Sequence, residues 1–305
     1  MSGSATGSFR RRQRHAPYLF LAPFLLLFLT FWAYPLIKSL VLSFYITSGP
    51  YTRVFVGLEN FRFLLSDPDF YKAVGNTVIF ALGSVFIQLP CSLGLALLLN
   101  SRLLRARNLF RFAFFSPYLA GMVFVSVLFS MVFAKDFGLL NRALHLFWPS
   151  FPLDTGWLQD PKLVMPALIL TALWLYVGFN MIYFLAALQT VDRELYEAAQ
   201  VDGAGAFQQF WYITLPGIKP VAVIVVLFST IGSFQLFELP YLMLGNGPGP
   251  DAAGLTLVMY LYQNGFVTGD LGYASTIGWS LALGVMFLAL AQLRLAGAWR
   301  RGAAA

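Results

Sequence analysis

Six apolar runs, each long enough to cross a bilayer, constrain this chain more than anything else in it. They cover about residues 17–44, 75–99, 112–134, 163–188, 220–244 and 271–293. About 20 apolar residues suffice to span the hydrocarbon core as a helix. Within that core every backbone N–H and C=O has to be satisfied internally, which selects helices over open strands. The expected fold is an all-α integral membrane protein with six transmembrane helices. Composition agrees, since 59% of the 305 residues are hydrophobic and 11% are charged, against about 25% charged in soluble domains. Lipid has to be the solvent for most of this surface. Pro90, Pro117 and Pro166 sit inside runs, where they are expected to kink the helices without ending them.

The net charge of +7 raises the question of nucleic acid. The charges sit at the ends of apolar runs and not on one face, so membrane topology accounts for them and no nucleic-acid partner is expected. Four Lys/Arg lie in the N-terminal tail 1–16 (Arg10, Arg11, Arg12, Arg14), and four lie between the second and third runs (Arg102, Arg105, Arg107, Arg111). Two lie between the fourth and fifth runs and three at the C-terminal end (Arg294, Arg300, Arg301). These 13 face 6 in the alternate connections. Both tails, 1–16 and 300–305, and the segment 189–219 are therefore expected on the cytoplasmic side of the cell inner (plasma) membrane. The first run exceeds the ~7–15-residue core of a signal peptide and no small-x-small site closes it, so a retained helix is expected. Lys38 near its far end is placed to snorkel. Residues 45–74 read as an external connection, with a short amphipathic helix at 57–65.

The segment 189–219 is the polar, well-punctuated stretch of the chain. Arg193 to Val201 holds good helix formers and no proline. Gly203 and Gly205 break it. A second amphipathic piece, Ala206 to Ile213, carries Phe207, Phe210 and Trp211, and Pro216 and Pro220 are expected to reset the backbone before the next run. The product is a helix-turn-helix elbow at the membrane surface, with aromatics on one side and Glu194, Glu197 and Asp202 on the other.

Glu197-Ala198-Ala199, Gly203 and Ile213-Thr214-Leu215-Pro216 resemble the spaced coupling-loop signature of ABC importer permeases, with every spacing kept. The resemblance extends over roughly Pro17 to Arg301 and is to the six-helix permease subunit of maltose-type sugar importers. Val56-Gly-Leu-Glu-Asn-Phe61 and Gly75-Asn-Thr77 resemble that family's approach to its second helix. Gly232-Ser-Phe-Gln-Leu-Phe237 and Gly245-Asn-Gly-Pro248 resemble its fifth helix and the loop after it, with Asn246 departing from an all-glycine loop. Leu271-Gly-Tyr-Ala-Ser275 resembles the start of its last helix. The resemblance implies the ABC type I importer transmembrane-domain fold with a cytoplasmic coupling helix. It also implies a second homologous permease, two ATP-binding cassette ATPase subunits and an extracytoplasmic substrate-binding protein as partners. The implied ATPase-coupling set is Glu194, Glu197, Ala198, Ala199, Asp202, Gly203, Ile213, Leu215 and Pro216. At Gly203 the bulk of a substituent is expected to matter more than its charge.

Nothing in the chain reads as catalytic. A P-loop needs a glycine-rich turn ending in Lys-Ser or Lys-Thr, and the only such pair, Lys38-Ser39, lies in an apolar run without glycine. His15 and His145 are far apart, and neither has a ligand cluster beside it. Cys91 stands alone and reads as a small buried residue. No cofactor or metal is expected on this chain; ATP and Mg belong to the partner ATPase.

Polar groups inside the runs mark the candidate path. A polar side chain facing lipid is costly, so Gln88, Asn180, Gln235 and Glu238 should face protein or water. Gln88 reads as helix–helix glue. Asn180, Tyr183, Gln235, Phe237, Glu238 and Tyr241 lie on the two runs that flank the elbow and combine amide, carboxylate and aromatic faces suited to a sugar, though helix–helix packing is the competing role for each. The function expected is a permease subunit that forms the translocation path for a sugar or related carbohydrate. The alternative is an ion-coupled secondary transporter, which commonly carries ionisable groups in the membrane and internal repeats; here only Glu238 is of that kind and no repeat is evident.

Overall fold

A computed structural model describes residues 18, 20–49, 52–101 and 105–302, with side chains to residue 297. The N-terminal tail with Arg10, Arg11, Arg12, Arg14 and His15 lies outside the described residues, as do Arg102 and the side chains of Arg300 and Arg301. The protein is overwhelmingly helical. Among the described residues five helices are long and apolar enough to cross a membrane, or six if the bent pair Arg107–Ala120 and Met122–Val132 counts as one span. The described chain falls into two compact units, residues up to 66 with 261–279, and 67–260 with residues from 280 onward.

In the first unit, helix α1 (Phe20–Leu42) has no buried residue in its apolar window. It is followed by a small antiparallel hairpin, β1 (Tyr45–Ser48) and β2 (Thr52–Phe55), paired Tyr45 to Phe55. The sequence of the 45–74 connection does not signal this hairpin. Helix α2 (Glu59–Leu64) follows. Its buried Asn60 donates through Nδ2 to the carbonyls of Ser43 and Tyr45, at 2.9 Å each. Asp270 accepts from the backbone N–H groups of Thr47, Gly272 and Tyr273. Gly272 packs so closely on the Tyr45 carbonyl that a Cβ would overlap it. The Val56–Phe61 and Leu271–Ser275 stretches thus hold the hairpin.

The second unit is built around one central helix. Helix α3 (Pro68–Asn100) leads through α4 (Arg107–Phe115) and α5 (Met122–Val132) to the surface helix α6 (Leu139–Phe147). The central helix α7 (Pro161–Gln189) follows, half of its window buried. Asp160 caps α7 by accepting from the Lys162 N–H at 2.9 Å, and Pro161 occupies the first turn, where no N–H is needed. Towards its N-terminal end α7 packs Val164, Leu168, Ala172 and Leu175 against Phe80, Val125, Phe129 and Phe133. Towards its C-terminal end it packs Met181, Phe184 and Leu188 against Leu89, Ala96, Ile218 and Val225. Gly178 allows a backbone approach: a Cβ there would overlap the Phe114 carbonyl and lie 2.8 Å from the Phe115 nitrogen. The chain continues through α8 (Arg193–Val201), α9 (Ala206–Phe234), α10 (Glu238–Met243) and α11 (Leu257–Tyr262) to α12 (Leu271–Gly302).

Four sequence expectations are corrected. The third run is not one helix kinked at Pro117: around that proline the chain tightens into a 3₁₀ turn, Ser116–Ala120, and breaks at Gly121 (φ 74°), so that the two halves meet at 99°. The fifth run does not restart at Pro220. Its helix begins at Ala206 and passes through Pro216 and Pro220 to Phe234, so the elbow's second piece and the span are one rod. That rod then breaks before Glu238, and α10 is separate. Cys91 is exposed, not buried, because an apolar side chain needs no protein cover where lipid is the solvent.

The prolines explain these outcomes. A proline in a helix removes the bond to residue i−4 and its ring crowds the preceding turn. Pro35, Pro90 and Pro216 each lie just after a π turn, Leu29–Ala33, Ser84–Gln88 and Phe210–Thr214. The residue before each proline bonds five residues back, Tyr34 to Leu29, Leu89 to Ser84 and Leu215 to Phe210. The wider turn makes room for the ring and the helix goes on. At Pro240 the outcome differs. Its missing N–H would have served the Leu236 carbonyl. The chain breaks at Gln235–Phe237, and the buried Thr256 hydroxyl donates to Leu236 O at 2.6 Å instead.

Candidate functional site

The elbow is a capped, exposed turn. Asp192 caps α8 by accepting from the Glu194 N–H at 3.1 Å. At the other end Gly203 has φ 79°. The Gly203 N–H donates to Gln200 O at 3.1 Å and the Ala204 N–H to Ala199 O at 2.8 Å. This pair of bonds is the Schellman ending, which needs a left-handed residue and explains the glycine. A Cβ on Gly203 would meet nothing within 4 Å. Its constraint is therefore conformational, and the sequence-based emphasis on bulk finds no support within the chain.

Two glutamines close the turn. Gln208 Oε1 accepts from the Gly205 N–H at 2.9 Å, and Gln209 Nε2 donates to Ala204 O at 2.8 Å. The Tyr196 hydroxyl lies 2.9 Å from Oγ1 of buried Thr214, in the π turn of α9. Tyr196 and Thr214 thereby clasp the elbow helix to the base of the following span. Neither stands out in a sequence reading focused on the Glu-Ala-Ala core and the terminal Leu-Pro, although a tyrosine hydroxyl and a threonine in an apolar setting each need a partner.

The face that the elbow presents is mixed. Glu194, Glu197, Ala198, Asp202 and Gly203 are exposed and Ala199 is half-buried. Ile213 and Leu215 are half-buried and Pro216 is exposed. Leu195, Val201, Phe207 and Tyr212 also stand exposed on this elbow, Val201 at 88%. That is more apolar surface than an isolated loop would show to water.

The intramembrane candidates lie on α7 (Asn180, Tyr183) and at the helix break and in α10 (Gln235, Phe237, Glu238, Tyr241). Asn180 is buried, while Tyr183, Gln235 and Glu238 are exposed and Phe237 and Tyr241 half-buried. Phe237 stacks on Tyr241 with centroids 5.0 Å apart. Along α7, Phe179 meets Tyr183 edge-on at 5.2 Å and stacks on Tyr118 at 4.3 Å, and Tyr118 lies 6.0 Å from Tyr176. Glu238 and Tyr118 are both near enough to Tyr176 to interact with it electrostatically. The sequence reading missed Tyr118, Tyr176 and Phe179. Tyr118 lies in the 3₁₀ turn Ser116–Ala120, which no periodicity signals. Tyr176 and Phe179 precede Asn180 and Tyr183 by one helical turn and were legible from that spacing.

The Gly75-Asn-Thr77 stretch also finds its role. Asn76 Nδ2 donates to Ala252 O and Leu255 O at 2.9 and 3.0 Å, and Thr77 Oγ1 accepts from the Leu257 N–H at 3.0 Å. These bonds tie α3 to the loop that begins at Gly245. Gln88 is buried. No cluster of potential metal ligands occurs among the described residues.

A helical membrane protein with a polar elbow clasped to the base of a span and a broken helix beside an aromatic row is built as a transport subunit. The chain belongs to the family described as binding-protein-dependent transport system inner membrane component, which matches residues 76–300. It is 39% identical over 289 residues to the arabinooligosaccharides transport system permease protein AraP of Bacillus subtilis, covering 94% of this chain and 90% of that protein. It is 36% identical to the lactose transport system permease protein LacF of Rhizobium radiobacter, covering 96% and 97%. Its fold matches that of a chain in the crystal structure of a bacterial ABC transporter involved in the import of the acidic polysaccharide alginate. There the TM-score is 0.80 with 24% identity, over 94% of this chain and 97% of that one. The protein is a multi-pass permease subunit of an ABC importer with the type I transmembrane fold, which sets aside the ion-coupled alternative.

Proposed function

We propose that this chain forms half of a carbohydrate translocation path and that the elbow conveys ATP-driven closure to it. The break at Gln235–Phe237 carries the reading. It interrupts the backbone between Gln235 and Glu238, and Glu238 lies near Tyr176 in the row of Tyr118, Tyr176, Phe179 and Tyr183. Amide and carboxylate groups bind sugar hydroxyls, and aromatic rings cover the apolar faces of sugar rings. The sugar-transport names of the relatives support this substrate class. The chain's length of elbow, its exposed Glu194, Glu197 and Ala198, and its clasp to α9 support docking on an ATPase. The Lys/Arg distribution supports cytoplasmic termini and a cytoplasmic elbow. In this assignment the chain itself binds no nucleotide and performs no catalysis. ATP and Mg belong to two ATPase subunits, and a second homologous permease and an extracytoplasmic binding protein complete the importer.

The test is uptake by the whole importer in proteoliposomes across a panel of oligosaccharides, disaccharides and polyols, with ATPase activity followed in parallel. Gln235→Ala, Glu238→Ala and Tyr183→Ala are expected to lower or re-rank uptake while the complex stays assembled. Unchanged uptake of every substrate in all three variants would place the path elsewhere. Outside labelling of a cysteine at position 203 in intact cells would overturn the orientation.

A further inference from the structure

Helix α6 is amphipathic the wrong way round for a surface helix in water. Its inward face carries Leu140, Asn141, Leu144 and His145. Asn141 is 1% exposed and fully used: Nδ2 donates to Thr155 O at 2.9 Å, and Oδ1 accepts from Trp157 Nε1 at 2.7 Å. His145 Nδ1 donates to Phe151 O at 2.8 Å. Trp157 in turn lies against Phe133, centroids 5.9 Å apart, so the loop is anchored on the core. The outward face, at helical spacing i, i+4, i+7, i+8, is Leu139, Ala143, Leu146 and Phe147. Leu146 is 79% exposed and Phe147 87%, and Trp148 follows at 68%. A helix that hides its polar groups and shows leucine and phenylalanine has something other than water outside it.

The connections identify what that is. α6 begins seven residues after the last residue of α5 and is tethered beyond it to the start of α7, so it stays at the level where two spans leave the membrane. Val123, Phe124, Val127, Leu128 and Met131 stand exposed on α5, and in the chain exposed Phe137 and Leu139 follow them. Exposed apolar side chains on and just beyond a span are suited to face lipid. Arg142 is exposed at the edge of the α6 stripe, where its guanidinium reaches headgroup phosphate while its stem lies along the apolar face. Phe147 and Trp148 are the aromatic residues that favour the bilayer interface. We propose that α6 is an interfacial helix, lying in the boundary between headgroups and acyl chains with Leu139, Ala143, Leu146 and Phe147 immersed. It would hold the 133–160 segment flat against the membrane.

The test uses the full chain assembled with its partner permease and ATPases in lipid nanodiscs. In a Cys91→Ala background, a nitroxide is attached at Leu146→Cys or Phe147→Cys, with Asp154→Cys as the water-facing control. The expected result at 146 and 147 is collision with dissolved oxygen several-fold more frequent than with a water-soluble nickel chelate, and the reverse at 154. The pattern is expected to persist when binding protein is added. Nickel collision at 146 and 147 equal to that at 154 would overturn the proposal. So would labels immobilised and shielded from both reagents, which would mean that a protein covers this face.

Discussion

Replacing Gly203 separates two explanations of why the elbow turns there. Its φ of 79° lies in the left-handed region, and a Cβ would meet nothing within 4 Å. If backbone conformation is the constraint, an ordinary L-residue pays roughly 1–2 kcal/mol to adopt it. Asparagine enters this region several times more readily than most, and a β-branched residue is a genuine outlier there. A cost of 1–2 kcal/mol lowers the population of the Schellman turn relative to its alternatives by about 5–30-fold. The expected order of damage is therefore Gly203→Asn least, Gly203→Ala greater, Gly203→Val greatest. Volume alone gives a different order, because asparagine is larger than alanine. The assay is ATP-driven uptake in proteoliposomes with retention of the ATPase measured by pull-down on the same samples. Alanine outperforming asparagine would refute the conformational account and show that a partner surface packs against this position. Wild-type uptake in Gly203→Val would show that the turn is not the coupling joint at all.

Three further outcomes are expected. Gly178→Ala places a methyl against the Phe114–Phe115 backbone, and over-packing of this kind costs typically 1–3 kcal/mol, read as a lower melting temperature in detergent. Thr256→Val removes the only hydroxyl shown donating to the Leu236 carbonyl, and an orphaned buried acceptor costs about 1–3 kcal/mol; Thr256→Ser keeps the donor and is expected to restore most of the stability. Tyr196→Phe and Thr214→Val each break the clasp between elbow and span. Their effects on uptake should be less than additive in the double variant, and strict additivity would show that the two do not act together.

What the sequence made legible, and what it hid, follows from the range of the interactions involved. Spans are local: hydrophobicity and helix geometry fix them within about 20 residues, which is why the apolar runs announce themselves. The elbow is also local, since its caps and left-handed turn are set by Asp192, Gly203 and the two glutamines within a few positions. The bend at Gly121, by contrast, hangs on a single glycine after Pro117, in a run whose composition is uniformly apolar. The break at Gln235 needs Pro240 to withdraw a donor and Thr256 to replace it from 20 residues away. The π turns are intermediate. Those at Leu29–Ala33, Ser84–Gln88 and Phe210–Thr214 lie just before a proline, whereas Gln263–Thr268 ends at Gly269; a proline inside a run is thus a cue to a disturbed helix, but surrounding packing decides whether it widens and continues, as at Pro216, or breaks, as before Pro240. That difference matters for function. A continuous α9 joins the elbow to the level of Phe234 as one rod, with Thr214 clasped to Tyr196 at its base and the break at its far end. On the proposed function, a displacement of the elbow would be carried along this helix to the interruption at Gln235–Phe237, where Glu238 begins α10.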